Sequence, residues 1–63
     1  SRSGLAATSL VRAELAQASG EAEAAMRHAE VARAAYAALG FTRYERRAER
    51  ILADLGAPTQ KTA

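Results

Sequence analysis

Leu39-Gly40-Phe41-Thr42-Arg43-Tyr44-Glu45 contains a helix stop and a helix start within a few residues. A glycine just past an apolar helical stripe adopts the left-handed conformation that closes a helix at little steric cost. Thr42, followed three residues later by Glu45, has the form of a capping box, in which each side chain serves an orphan backbone donor of the other residue. Outward from this junction, Gly4, Gly20 and Gly56 repeat the punctuation, and the chain's one proline, Pro58, follows the last of them. No stretch alternates β-branched and polar residues as a strand does; two valines, one isoleucine and four threonines are too few to build one.

The spacing predicts an all-α fold of three antiparallel helices over about 5–18, 21–39 and 43–55. Residues 1–4 read as a flank, 5–56 as one three-helix segment and 57–63 as a disordered polar tail. In the first helix Leu5, Thr8, Val11, Leu15 and Ala18 recur at spacings of three and four, with Leu10 flanking them. The second carries Ala22, Ala25, Ala29, Ala32, Tyr36 and Leu39 on one stripe. Glu23, Arg27, Glu30 and Arg33 lie off that stripe, with Glu23 and Arg27 placed to pair. In the third, Phe41, Tyr44, Ala48, Ile51, Leu52 and Leu55 form the stripe. An alanine stripe lets backbones approach closely, so the second helix is expected to be the central one, with Leu and Val from the first and Ile and Leu from the third filling its flanks.

Size and composition limit what such a chain can do alone. Among its 63 residues are eighteen alanines but only thirteen larger apolar side chains, and there is no cysteine. No disulfide is available, and His28, the one histidine, has no thiolates with which to hold structural zinc. A core this thin is expected to be completed by a neighbouring repeat, a second copy or another domain. No apolar run reaches the roughly 18 residues of a membrane span and no signal-peptide pattern is present, which reads as a soluble, cytoplasmic protein with no membrane partner. The first residue, Ser1, suits a processed or excised piece. The formal charge of +2 comes from nine bases interleaved with seven acids, a balance typical of solvated helix faces.

The order helix, glycine, helix, glycine, helix resembles a tetratricopeptide-type repeat, where about 34 residues make a helix pair. In that repeat small residues sit late in the first helix and midway along the second, and Ala13, Ala16, Ala25 and Ala32 occupy matching places around Gly20. The chain departs from the usual pattern in two ways. Ala29 stands where a large aromatic is expected, and no proline closes the pair, so the second helix runs on to Gly40. The stretch Ala32-Arg33-Ala34-Ala35-Tyr36-Ala37-Ala38-Leu39-Gly40-Phe41, then Tyr44-Glu45-Arg46-Arg47-Ala48-Glu49 and Leu52-Ala53-Asp54-Leu55-Gly56, is similar to the C-terminal repeats of large actinobacterial LuxR-type and related ATPase-containing transcriptional regulators. The resemblance spans about 5–56. It implies repeats that bind protein or relay a ligand signal and perform no chemistry.

The residues themselves point away from catalysis. Ser3, Ser9 and Ser19 have no orienting base, and the glycines, spaced sixteen or more apart, make no phosphate loop. His28 lacks the partners of a general base or a metal ligand. No catalytic residue, cofactor or metal site is therefore expected. Arg43, Arg46, Arg47 and Arg50 make the third helix basic, but Glu45, Glu49 and Asp54 lie among them and Arg50–Asp54 reads as an internal pair. Nucleic acid is accordingly disfavoured as a partner, with a small DNA-binding domain the third choice. The expected function is a non-catalytic protein-interaction scaffold or a C-terminal repeat cap, with a self-associating docking module, and hence a homo-oligomer, as the alternative. Tyr36, Phe41, Tyr44, Ile51 and Leu55 are the expected contacts with a neighbour. Ala13, Ala16, Ala25, Ala29 and Ala32 are the expected seam.

Overall fold

A computed structural model of the chain describes residues 1–56, and the tail expected over 57–63 lies outside the described residues. Three helices follow one another: α1 (Arg2–Ala18), α2 (Ala22–Leu39) and α3 (Thr42–Gly56). They pack antiparallel, as connections of two or three residues require. The central place falls to α2, which packs against α1 on one side and α3 on the other, while α1 and α3 barely meet. The assembly is accordingly wider than it is thick, 40 × 23 × 13 Å over its principal axes.

Two identical chain reversals produce this arrangement. At the end of α1 the Gly20 N–H donates to the Gln17 carbonyl (3.1 Å) and the Glu21 N–H to the Ala16 carbonyl (2.9 Å). At the end of α2 the Gly40 N–H donates to Ala37 (3.1 Å) and the Phe41 N–H to Tyr36 (3.0 Å). Each is a Schellman motif, with its glycine left-handed at φ 81° and 77°. The second motif also carries the hydrophobic contact that accompanies this geometry, since Tyr36 and Phe41 are the two residues it brings together.

The glycine at position 4 does not punctuate, whereas α3 runs to Gly56, the last described residue. Gly4 lies inside the first turn of α1, where its N–H donates to the Ser1 hydroxyl (3.3 Å), so the helix starts at Arg2 and three of the four residues read as a flank are helical. The capping box is also replaced. Thr42 is already helical and the Glu45 N–H donates to the Phe41 carbonyl (3.0 Å), because the tight turn at Gly40 delivers Phe41 directly into the capping position.

The core is built mainly from methyl groups. Ala6, Ala13, Ala25, Ala29, Ala32 and Ala48 are fully buried, and only Leu10, Tyr36 and Ile51 join them as larger side chains. Ala35, Leu39, Leu52 and Leu55 pack half-buried around this centre. The expected alanine stripe of α2 is thus its buried face from Ala25 to Tyr36, while Ala22 is exposed.

The glycines separate by role under substitution. Gly40→Ala is expected to lower unfolding free energy by about 1–2 kcal/mol although nothing lies within 4 Å of the added methyl, because the cost is the left-handed backbone alone. Gly4→Ala is expected to raise it by about 0.5–1 kcal/mol, the added methyl meeting only the Ser1 hydroxyl at 3.4 Å. Urea denaturation of both variants checks the opposite signs.

Candidate interaction surfaces

On α1 the structure reverses the expected faces. Ala6, Leu10 and Ala13 face α2, whereas Leu5, Val11 and Leu15 are 68%, 52% and 63% exposed. Thr8 and Ala18, expected on the buried stripe, are exposed too. The two sets lie on opposite sides of the helix, since residues separated by three, four and seven share a face. The fit to an alanine-lined partner decides between them: only a stripe with small residues at two of its three places lets α1 settle onto Ala29 and Ala32. The outward side of α1 is therefore an aliphatic surface on which Ala7, Thr8, Val11, Arg12 and Leu15 line one shallow hollow.

The expected neighbour contacts divide. Tyr36 and Ile51 are buried within the three-helix core and Leu55 is half-buried against it, so these side chains serve internal packing. Phe41 and Tyr44 stay 45% and 38% exposed at the α2–α3 turn. Both rest on Tyr36: the Tyr44 ring stacks on it with centroids 5.2 Å apart, and Phe41 tilts against it at 6.1 Å. These separations lie within the range of favourable aromatic pairs. Of the expected seam, Ala13, Ala25, Ala29 and Ala32 are fully buried and Ala16 half-buried.

Most of the remaining surface is charged, Val31 on α2 being an exposed exception. Glu23, Arg27 and Glu30 lie on the outer side of α2 beside Met26. Arg43, Arg46, Arg47 and Arg50 stand at spacings of three, four and seven on α3, along the flank that looks toward α1. Glu45 and Glu49 lie toward the other flank of that helix, sharing a hollow there with Arg46 and Arg50. Among the described residues one salt bridge forms, Arg47 to Glu14, joining α3 to α1 across the open side of the assembly. Both partners are well exposed, so the pair contributes at most about 1 kcal/mol. The expected pairs Glu23–Arg27 and Arg50–Asp54 do not close to bonding distance.

No group of three or more His, Asp or Glu able to hold a metal ion occurs among the described residues, and none of their helices is long and apolar enough to cross a membrane. His28 is half-buried on α2. Compared with protein-family models, curated proteins and solved structures, the chain matches none.

Core and outer face respond differently to substitution. Leu5→Lys and Leu15→Lys are expected to shift stability by no more than about 0.5 kcal/mol. Leu10→Ala costs about 2–5 kcal/mol, and Ala29→Leu about 1–3 through overpacking. Thermal denaturation of the four variants checks the order; a Leu15→Lys chain less stable than Leu10→Ala would contradict this assignment of faces.

Proposed function

We propose that this chain is a non-catalytic protein-interaction module, the C-terminal cap of a tetratricopeptide-like helical-repeat region. The observation that supports the reading is the inequality of its two flanking helices. The outward side of α1 presents Leu5, Val11 and Leu15, the side on which a preceding helix pair would stack. The outward side of α3 presents arginines and glutamates, which solvate an array's end. Stacked repeats bury a shared apolar face between neighbours, and a terminal unit needs one apolar face and one polar face. The resemblance to the repeats of LuxR-type bacterial regulators supports the same role and suggests a transcriptional regulator as the parent. Phe41 and Tyr44 are available to a partner at the turn, but the stacking contact itself is assigned to α1.

Self-association through the same face is the second reading. Two α1 helices in antiparallel contact, centred near Leu10, would set Leu5 of each against Leu15 of the other. The size of the face favours a neighbour in the same chain. Three exposed aliphatic side chains fall well short of the roughly 800 Å² per partner that a stable two-body interface buries. A covalently adjacent repeat meets the same surface at millimolar effective concentration and needs less.

Two measurements test the proposal. In sedimentation equilibrium the 63-residue chain is expected to remain monomeric; a dimer dissociated by Leu5→Lys/Leu15→Lys would establish the second reading instead. Fused behind a designed tetratricopeptide array that lacks its last helix, the chain is expected to raise the array's urea midpoint. The same two substitutions are expected to erase that gain. An array no more stable with the chain than without it would remove the cap reading.

A further inference from the structure

The open side of the assembly, where α1 and α3 diverge, forms a groove of about 550 Å³. Glu14 and Gln17 of α1 line one wall, Arg43, Arg46, Arg47 and Arg50 of α3 the other, and Ile51 lies at the base. Arg47 is held by Glu14, but Arg43, Arg46 and Arg50 meet no acid within salt-bridge distance among the described residues. We propose that this groove is a docking site for an acidic amphipathic helix of a partner protein, its carboxylates engaging Arg43, Arg46 and Arg50. The site is separate from the aliphatic face of α1 and does not depend on the cap reading.

Charge and spacing select this occupant. Arg43 and Arg50 are seven residues apart, about 10 Å along one helix side. A second helix lying along the groove repeats the same interval, so glutamates at spacings of three, four and seven come opposite successive arginines. The cations are uniformly arginine here, although the chain also contains a lysine at position 61. The guanidinium fork donates two parallel hydrogen bonds to the two oxygens of one carboxylate, a geometry that a lysine ammonium does not offer. Glu14 and Asp54 also line the groove. Glu14 is taken by Arg47, but Asp54 opposes a uniformly anionic phosphate backbone while a lysine at the margin of a helix can meet it, so the lining favours a protein helix over nucleic acid.

The probe is a fluorescein-labelled, alanine-based helical peptide of about 18 residues, long enough to hold its helix in water, with glutamates at those spacings. Anisotropy titration of the 63-residue chain is expected to show binding that weakens as salt rises. The peptide with glutamine for glutamate should bind at least about tenfold more weakly. Arg43→Glu/Arg50→Glu should lower affinity about thirtyfold or more without altering the circular dichroism spectrum, because both side chains are exposed and unpaired. A peptide with lysine for glutamate should then bind the variant and not the original chain. The proposal is overturned if glutamine and glutamate peptides bind equally, if no saturable binding occurs by millimolar peptide, or if the charge-reversed peptide fails to recover the variant. It is equally overturned if a duplex DNA of random sequence binds more tightly than the acidic peptide, or if the double variant's only effect is to dissociate a self-associated form.

Discussion

Close approach of the helices across an alanine seam is the constraint on which the rest of the structure depends. Ala13, Ala25, Ala29, Ala32 and Ala48 are fully buried on three different helices, so methyl groups fill the spaces where a conventional bundle holds leucines. Such a seam admits few larger side chains. Leu10, Tyr36 and Ile51 occupy that interior, and other large apolar residues lie partly or fully outside it. Each alanine removes little apolar area from water, so the seam relies more on dense packing than on area buried. The same limit that makes the core narrow makes the exterior apolar, and Leu5, Val11 and Leu15 are its consequence.

Turn chemistry explains why the helix count and order were legible in the amino-acid sequence. At Gly20 and Gly40 the chain reverses within two or three residues, and a left-handed residue there closes two backbone hydrogen bonds at once. Gly4 has the same local look but not the same role. A glycine is tolerated inside a terminal turn, and Ser1 supplies the cap that lets α1 begin before Gly4. Thr42 was misleading for a related reason. Once the Phe41 N–H is taken by Tyr36, the Phe41 carbonyl is already aimed along the next helix, and a threonine cap one residue later becomes redundant.

The faces were harder to read than the elements. Periodicity marks two stripes on α1, Leu5–Val11–Leu15 with its polar companion Thr8, and Ala6–Leu10–Ala13, and hydrophobicity alone prefers the first. Packing prefers the second because its small residues fit an alanine partner. The information that decides the matter therefore lies in α2, not in α1. On α2 the two criteria agree, and the stripe from Ala25 to Tyr36 was legible. On the aromatic residues they conflict again. Tyr36 lies in the seam's own register and is drawn inside, while Phe41 and Tyr44, just beyond the turn, shield its ring and stay half in water.

Charge placement completes the asymmetry. If burial were the only requirement, α3 and α1 could present equivalent outer surfaces, since each packs one face on α2. They do not. The outer side of α1 has Arg12 as the single charged residue lining its aliphatic hollow, whereas α3 carries four arginines along one flank, two of which, Arg46 and Arg50, also line the hollow of Glu45 and Glu49. A charged outer helix resists further stacking, because burying any one of those side chains unpaired costs several kcal/mol. An aliphatic outer helix invites it. Arg43 and Arg47 lie apart from Glu45 and Glu49, whereas salt-bridged faces alternate their signs at intervals of three and four. On α3 those intervals join Arg43 to Arg46 and Arg47, and Arg46 and Arg47 to Arg50, as well as Arg46 to Glu49 and Arg50 to Asp54. Like charges thus stand adjacent along the flank that faces α1, and among the described residues none of Arg43, Arg46 and Arg50 closes a salt bridge, so the groove between α1 and α3 carries more positive than negative charge.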